Sequence, residues 1–420
     1  MGNSDSSAPA VDDAVDGATA DELVAALATA PVRADPYPVY ARLRRLAPVH
    51  RAPSGMVFLT GYEDCVTLTR SPAFHAQGPQ WMDAVNPAWR EHPGQVATVE
   101  SLLFRDPPDH TRLRRLVGGT FTIRRLEALR GDVVRLVGDA LDAIADAGGD
   151  GSAVNLHEIL SATLPISVIG ALVGVPSEDW PLLRRWMTAM MQIVEMTTSA
   201  QIMDAADDGA RRLTDYFAAL VAERRAHPRE DLASALVAVA DDDETLTGTE
   251  LLQTLILLFM AGVDTMVNHL ANGTQALLAH PDQLAALRAD PALAPSAVEE
   301  MLRYDAPIQI IGRVSGEPVR LGGLDVPAGT LAIGLLGAAN RDPARFPDPD
   351  AFDITRSPDS IVLSFGGGMH YCLGAPLARL ESAEFFPAFL ARFPKLALGG
   401  VPQRRGLVLR GFSDFPITVV

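Results

Sequence analysis

One cysteine in the last quarter of the chain stands in a setting that favours metal ligation. Cys372 lies in the segment Ser364-Phe-Gly-Gly-Gly-Met-His-Tyr-Cys-Leu-Gly374, and a helix is expected to begin near Ala375. The positive end of a helix dipole and its free N–H groups stabilise a thiolate, which is a good soft metal ligand. The three glycines allow the backbone to approach something flat and close. From these residues alone, a loop cysteine that packs as a small hydrophobe is the alternative.

An acid and an alcohol stand side by side in the most apolar helix of the chain. The helix expected over 249–276 is apolar on all faces through Leu251–Ala261, which indicates burial, and Asp264 and Thr265 follow that run. A buried acid is costly unless it is used or satisfied. In one interpretation Thr265 bonds a carbonyl one turn earlier and Asp264 pairs with a basic group. In the other, the two side chains carry protons to a reaction centre.

The cysteine segment resembles the haem-ligand signature of the cytochrome P450 family. Phe365-Gly366-Gly367-Gly368-Met369-His370-Tyr371-Cys372-Leu373-Gly374 matches that signature at every defined position. The resemblance implies haem b, with Cys372 as the proximal iron ligand and Phe365 beneath the haem near the sulfur. A thiolate ligand favours O–O cleavage. Backbone N–H groups after Cys372, supplied by Gly374 and the helix start, would tune that ligand.

The segment Ala261-Gly262-Val263-Asp264-Thr265 resembles the oxygen-activating stretch of the same family. The resemblance implies a proton relay through Asp264 and Thr265, with Gly262 leaving room for oxygen. Met266 stands where the family often has a second Thr or Ser, so no second hydroxyl is expected.

Buried haem propionates need cationic or donor partners, and four residues are implied for that role. They are His110 and Arg114 in Asp106-Pro-Pro-Asp-His110-Thr-Arg-Leu-Arg114, together with Arg313 and His370. For Arg313 alone, an ordinary surface arginine is the alternative.

The pair Glu300 and Arg303 resembles the structural ion-pair helix of the family. It precedes Asn340-Arg-Asp-Pro343 and Phe346-Pro-Asp-Pro-Asp-Ala-Phe-Asp353, which resemble the meander that follows that helix. Many members place an arginine where Ala351 stands. Arg356 is a candidate for that structural role, which the sequence does not assign.

The composition of the chain restricts its compartment and its classes of partner. The chain has 420 residues, 48% of them apolar and 21% charged, with two cysteines and a formal charge of −17. Such an acidic chain is expected to avoid nucleic acid and anionic membranes. Two cysteines exclude a disulfide framework and favour a reducing cytoplasm. A zinc site is poorly supported, because Cys65 is far away in the sequence and no further Cys/His cluster accompanies His370.

The pattern predicts a mainly α fold with small peripheral β-sheets. The resemblance implies the cytochrome P450 fold, a helical bundle around a buried haem. Residues 1–22 are expected to form a disordered acidic tail without a signal peptide, and 23–420 a single catalytic domain. The greasiest run, Leu251–Val263, is too short to span a membrane. Without βαβ alternation, a doubly wound nucleotide-binding sheet is not expected. Helices are expected at 37–46, 124–147, 156–174, 178–195, 204–226, 231–240, 249–276, 281–289, 295–304 and 375–393; β structure at Pro48–Thr60 and Val319–Ile333; and irregular chain at 74–104 and 340–371.

The resemblance implies a monooxygenase that inserts one oxygen atom from O2 into a C–H bond or an alkene of an apolar small molecule. A polyketide or macrolide is the expected substrate class. The residues expected to line its pocket are Trp81, Met82, Met187, Met190, Met191, Ile308, Ile310 and Ile311. For the methionines, a place in the core is the alternative. Two other functions stay open: a same-fold enzyme of oxidative coupling or cyclisation, and a non-enzymatic haem or ligand sensor.

Electrons are expected from NAD(P)H through a ferredoxin and a ferredoxin reductase, because no flavin or iron–sulfur segment is fused to the chain. Arg112, Arg115, Arg124 and Arg125 cluster in an otherwise acidic sequence. They are expected either to form a basic docking face for an acidic ferredoxin or to decorate an amphipathic helix. A cytoplasmic monomer is expected.

Overall fold

Helices form most of the chain in a computed structural model that describes residues 17–195, 199–243, 246–357 and 361–419. The side chains of Ile123, Arg124, Leu126 and Asp243 lie outside that description. The described helices are Ala20–Ala26, Ala30–Ala34, Tyr37–Leu46, Tyr62–Arg70, Pro79–Val85, Pro93–Val99, Asp109–Thr120, Ile123–Ala128, Arg130–Gly148, Leu156–Ala162, Leu164–Val173, Trp180–Met191, Ala200–Ala226, Leu232–Asp243, Gly248–Ala279, Pro281–Ala289, Ala294–Tyr304, Leu336–Ala339 and Ala375–Arg392. The mainly α prediction is confirmed.

The strands are short and peripheral, as predicted. One sheet has the order Val49–Arg51, Val57–Leu59, Leu331–Leu335, Ile310–Ser315, Phe74–His75, and only its second and third strands run parallel. A three-stranded sheet joins Val154–Asn155, Pro416–Thr418 and Ala397–Leu398. Two further antiparallel pairs are Gln403–Arg405 with Gly411–Asp414, and Val319–Leu321 with Leu324–Val326. The last pair turns at Gly322 and Gly323, both with positive φ.

The helix Gly248–Ala279, called the central helix below, runs through the main apolar core. Its start is fixed by a capping box, in which Thr247 and Glu250 satisfy each other's backbone N–H groups. It packs against Leu164–Val173, Ala200–Ala226 and Ala294–Tyr304. The central helix and Leu156–Val173 are long and apolar enough to cross a membrane by length and composition. In the central helix the apolar segment is longer than the run Leu251–Val263, the only part that the sequence analysis considered. Both helices are mostly buried inside the fold, as core helices are.

Three sequence predictions of local structure were wrong. The helix expected over 124–147 is broken between Ala128 and Arg130, although the apolar spacing continues across the break. The stretch 74–104 is partly helical, because Pro79 and Pro93 begin helices, where a missing N–H costs nothing.

The tail also ends earlier than residue 22. Thr19 and Glu22 form a capping box for the helix Ala20–Ala26, and Leu23 and Leu27 pack in an apolar cluster with Tyr40. Residues 1–16 of the expected tail lie outside the described residues.

A buried three-residue ion network fastens the segment that leads to Cys372. Arg303 donates to both carboxylate oxygens of Glu300 at 2.7 Å, and the two side chains are about 1% exposed. The Nε of Arg356 donates to Glu300 Oε2 at 3.1 Å, and Arg356 also reaches the carbonyl of Ala351. Arg356 therefore takes the structural role for which the sequence made it a candidate.

A buried acid without a partner faces the core from the helix that follows Cys372. Glu381 is 2% exposed, its Oε1 lacks a hydrogen-bond partner, and burial raises the pKa of its carboxyl to about 8. The folded chain therefore keeps this proton to about pH 8, whereas the unfolded chain releases it near the ordinary glutamate pKa of 4.5. Stability from this group is complete below pH 4.5 and falls as the pH rises to about 8.

We expect Glu381→Gln to remove that pH dependence. At about 1.4 kcal/mol per pH unit, the variant should gain up to roughly 5 kcal/mol over the native chain by pH 8. Thermal unfolding of both proteins from pH 5 to 9 measures the difference, with Glu384→Gln on the same helix as the control. Equal pH slopes for the native chain and Glu381→Gln would contradict the assignment.

Candidate active site

The loop that carries Cys372 is closed by its own backbone and opens directly into a helix. The N–H of Cys372 donates to the Phe365 carbonyl at 3.0 Å, and Ala375 begins the helix Ala375–Arg392. Burial raises the pKa of the Cys372 thiol, while the N–H groups of Gly374 and Ala375 and the charge of Arg114 act to lower it. The side chain is nevertheless accessible to solvent, so a ligand can reach its sulfur from one side.

The glycines before Cys372 are explained by a neighbouring helix. A Cβ on Gly367 would lie 2.6 Å from Thr69 Oγ1, and one on Gly368 would strike the Thr69 carbonyl. Gly367 and Gly368 therefore closely approach the end of Tyr62–Arg70, whereas a Cβ on Gly366 would meet no atom of the described residues within 4 Å. Gly366 and Gly368 also have φ of 71° and 61°, a left-handed conformation that favours glycine.

Phe365 is half-buried and packs against the main core beside the cysteine loop. The guanidinium of Arg379 lies 4.5 Å from its ring centroid, and Arg379 also contacts the hydroxyl of Tyr371 at 3.1 Å. Sequence reasoning missed Arg379, although its place on the helix directly after Cys372 could have indicated it.

Four residues predicted to hold the propionates form one basic cluster. The rings of His110 and His370 are 4.2 Å apart between centroids, and the Nε2 atom of each is buried without a hydrogen-bond partner. Arg114 donates to the Tyr371 carbonyl at 2.7 Å, and Arg313 is 6% exposed. Across the described ranges, neither arginine forms an ion pair within 4.0 Å.

The cluster holds positive charge that its own side chains do not balance. Burial lowers the pKa of His110, Arg114 and Arg313, and burial with the charge of Arg313 lowers the pKa of His370 to about 3. Two donors without partners and two arginines without carboxylates suit a ligand that brings anionic oxygens. These residues therefore fit a haem with its propionates, and Cys372 fits its iron.

The acid and the alcohol sit where the buried central helix has an accessible stretch. Thr265 Oγ1 donates to the Ala261 carbonyl at 2.7 Å, which is the structural interpretation of that hydroxyl. Ala261 is exposed and Thr265 half-buried, although most of the helix around them is buried. Residues four apart share a helix face, so this face opens on a space large enough for solvent.

Asp264 is buried and has no direct hydrogen-bond partner among the described residues. Within the described residues it forms no ion pair within 4.0 Å, so the predicted pairing with a basic group is not seen. Burial raises the pKa of its carboxyl, whereas the charges of Arg405 and Arg184 act to lower it. Sequence reasoning missed both arginines, because nothing local to Asp264 indicates them.

Gly262 is set against a neighbouring helix. A Cβ at this position would lie 3.2 Å from the side chain of Ile169 on Leu164–Val173. Close helix packing is therefore one reason for the glycine, and the room that it leaves for oxygen stays a prediction.

The predicted pocket residues divide into two groups. Met187, Met190 and Ile310 are at most 9% exposed and belong to apolar core clusters, so the core alternative is correct for these two methionines. Ile310 and Ile311 alternate across their strand and so face opposite sides of the sheet. The other predicted pocket residues are half-buried and can line a pocket. They are Trp81, Met82, Met191, Ile308 and Ile311.

A thiol positioned for metal ligation and a basic cluster short of anions are what a haem-thiolate protein requires, and the fold and the site define that class. The family model described as Cytochrome P450 matches residues 49–402. The chain belongs to the cytochrome P450 family. It is a monooxygenase that uses haem b and takes electrons from redox partners.

Two curated relatives and one solved structure show how similar the chain is to known members. Cytochrome P450 monooxygenase PikC of Streptomyces venezuelae is 42% identical over 394 residues, which are 91% of each chain. The 6-deoxyerythronolide B hydroxylase of Saccharopolyspora erythraea is 37% identical over 401 residues, 91% of this chain and 96% of its own. Ligand-free Mycobacterium smegmatis CYP164A2 superposes with a TM-score of 0.85 at 38% identity, covering 95% of this chain and all of that one.

Proposed function

We propose that the chain hydroxylates a C–H bond of a bulky apolar natural product, with a macrolide or polyketide as the first class to test. The observation that carries this proposal is the buried Asp264 beside Thr265 on the accessible stretch of the central helix. Oxygen insertion consumes protons, which oxidative coupling can dispense with. A hydroxylase among the relatives, named for 6-deoxyerythronolide B, supports both the reaction and the substrate class.

Bound haem supplies the activation of O2, and the chain supplies ligand, protons and position. Cys372 would provide the thiolate, Arg114 and Arg313 would neutralise the propionates, and the neutral rings of His110 and His370 would donate hydrogen bonds to them. Burial raises the pKa of Asp264, so its carboxyl holds a proton nearer neutral pH than an ordinary aspartate does. The Thr265 hydroxyl leaves its bond to Ala261 to pass a proton into the accessible space. Half-buried apolar side chains orient the substrate and exclude water.

We expect Thr265→Ala to separate electron use from product formation. Without the hydroxyl, NAD(P)H consumption continues, while product per electron falls by about 100-fold, the lower end of the range for loss of a proton-transfer group, and peroxide rises. Product, NAD(P)H and peroxide are measured together in a reconstituted system with a surrogate ferredoxin and reductase.

Thr274→Ala is the matched control for that variant, because Thr274 makes the same bond to a carbonyl one turn earlier, Leu270, on the same helix. The control should keep the native ratio of product to electrons. Native coupling in Thr265→Ala would refute the relay.

The substrate proposal is tested by a binding screen with the holoenzyme. Macrolide lactones, linear polyketides, steroids and fatty acids are scored for the low-spin to high-spin shift of the haem spectrum, and those that bind are turned over and analysed by mass spectrometry. A product heavier by one oxygen atom supports hydroxylation. Loss of two hydrogens without added oxygen would favour the coupling alternative, and a ligand shift without reductase-dependent O2 consumption would favour a sensor.

We propose that a basic docking face for an acidic ferredoxin includes Arg115. Arg112 is paired with Glu250, and Arg125 donates to the Thr120 carbonyl at 3.0 Å. The side chain of Arg124 lies outside the described residues, while Arg115 is exposed on the same helix as Arg112. Family members use ferredoxin partners in general, so Arg115 is the residue to test.

We expect Arg115→Glu to raise the KM for ferredoxin several-fold at low salt and to flatten its salt dependence, because an exposed charge acts mainly on the rate of association. Arg45→Glu, an equal charge reversal on the helix Tyr37–Leu46, is the control. If both variants have the same KM and the same salt dependence, Arg115 is not part of the docking face.

A further inference from the structure

The carboxylate of Glu195 holds a turn that lies near the other end of the chain. Glu195 follows the 3-10 turn Gln192–Val194, which ends the helix Trp180–Met191. Its Oε2 accepts from the N–H groups of Leu407 at 3.1 Å and Val408 at 3.3 Å, and its Oε1 accepts from Leu409 at 2.9 Å. Successive N–H groups that converge in this way form a site for an anion, and the carboxylate fills it.

The sequence of the turn is suited to this contact. Gly406 has a φ of 69°, a conformation that L side chains rarely adopt. A Cβ there would also lie 2.9 Å from Glu195 Oε1 and strike the Leu409 carbonyl. A glycine is therefore required for the three N–H groups to face Glu195.

The turn is part of the wall that contains Ile308. Leu409 and Ile308 form a β-bridge, and the N–H of Gln309 donates to the Val408 carbonyl at 3.1 Å. Ile308 and Leu409 are both half-buried. Backbone bonds therefore join segment 307–310 to the turn, and Glu195 connects the turn to the end of Trp180–Met191.

The same wall reaches the proton-relay residues. Arg405 directly precedes the turn, and Arg184 lies on the helix that Glu195 follows. Both arginines act electrostatically on Asp264, so these elements converge around it. The contact of Glu195 therefore joins two elements whose arginines act on Asp264.

On the Glu195 side, the contact with the turn 406–409 is made by hydrogen bonds. Ile193 and Val194, the residues next to Glu195, are half-buried and belong to none of the apolar clusters of the described residues. Hydrogen bonds can exchange with water at a small net cost, whereas a packed apolar edge cannot. The turn itself is anchored, because Leu407 is buried in an apolar cluster against which Val408 packs. Opening of the contact therefore moves the Glu195 side and leaves the turn in place.

We propose that Glu195 is a positioning residue that closes the substrate pocket, and that bulky ligands pass when its three hydrogen bonds to the turn 406–409 open. The proposal rests on the proposed place of the substrate beside Ile308 and Asp264. It does not depend on which substrate the enzyme takes.

Hydrogen–deuterium exchange of the holoenzyme tests the contact itself. In Glu195→Gln an amide NH2 must face at least one of the three donors, so we expect exchange at Leu407–Leu409 to be about tenfold faster, as for loss of a hydrogen bond to a charged group. Asp204→Asn removes an exposed charge from the helix Ala200–Ala226 and should change nothing. Unchanged exchange in Glu195→Gln would overturn the proposal.

Ligand kinetics tests the gate, with two azoles that bind iron in the same way but differ in size. We expect econazole to associate and dissociate about tenfold faster in Glu195→Gln, while imidazole keeps its native rates. Glu195→Asp, which keeps the carboxylate, should restore part of the difference. Equal changes for both azoles would overturn the gate. Neither readout uses turnover, so a wrong substrate class leaves the result intact.

Discussion

Cys372→Ser should abolish the thiolate-type Soret band of the reduced carbon monoxide complex and all monooxygenase activity. Serine keeps the size of the side chain, but its hydroxyl is a much weaker and harder ligand than a thiolate, so the electron donation that favours O–O cleavage is lost. The loop should persist, because the bond from the residue 372 N–H to the Phe365 carbonyl uses only backbone atoms. Reduced, carbon monoxide-treated difference spectra measure the effect.

Cys65→Ser is the matched control, because it makes the same chemical change at the other cysteine. Cys65 is wholly buried, burial raises the pKa of its thiol, and its sulfur lies 3.7 Å from the Leu59 carbonyl. A buried thiol held neutral in this way is not a ligand. The control should lose some stability and keep its spectrum. A native spectrum in Cys372→Ser would refute the ligand assignment.

The parts of the site that lie within one segment could be predicted from the sequence. The cysteine loop, the Asp264–Thr265 pair and Glu300 with Arg303 each combine their chemistry over a few consecutive residues, and local structure then places them. Helix Tyr37–Leu46 was predicted residue for residue for the same reason. Periodicity failed where it continues through a break, as at Leu129.

Contacts between distant segments could not be predicted in this way. Arg405 acts on Asp264, and Glu195 holds Leu407–Leu409, only because the fold brings their segments together. The packing partners of the glycines were missed for the same reason. The sequence shows that a close approach occurs at Gly367 and Gly262, but the partners, Thr69 and Ile169, are known only from the structure.

Glu300→Gln should be among the most destabilising single changes in the chain. Glu300 Oε1 accepts from Arg303 and from the N–H of Asp353 at 2.9 Å, and Oε2 accepts from Arg303 and Arg356. Glutamine keeps one acceptor oxygen and turns an NH2 group towards a guanidinium. The buried Arg303 and the half-buried Arg356 then lack their anion, and breaking a buried pair in this way costs about 3–5 kcal/mol. That is a large part of the roughly 5–15 kcal/mol by which most domains are stable.

The loss of stability in Glu300→Gln should release the haem before the rest of the protein unfolds. Arg303 also donates to the carbonyls of Asn340 and Ala351, and the Asn340 side chain holds both Ser364 and the N–H of Leu363. Ser364 is the residue before Phe365, so loosening this network frees the cysteine loop. We expect the Soret band of Glu300→Gln to bleach at a lower temperature than its helices melt by circular dichroism.

Asp139→Asn is the control for this variant, because it breaks an exposed ion pair with Arg135 on the helix Arg130–Gly148. Exposed pairs contribute only ~0–1 kcal/mol, so its unfolding should match the native chain. If Glu300→Gln unfolded at the same temperature as Asp139→Asn, the ion network would contribute no measurable stability and the prediction would be wrong. A low melting temperature with simultaneous loss of the Soret band and of helicity would assign Glu300 to the whole fold. Early bleaching separates these outcomes, because only a network that acts through Asn340 and Ser364 releases the haem first.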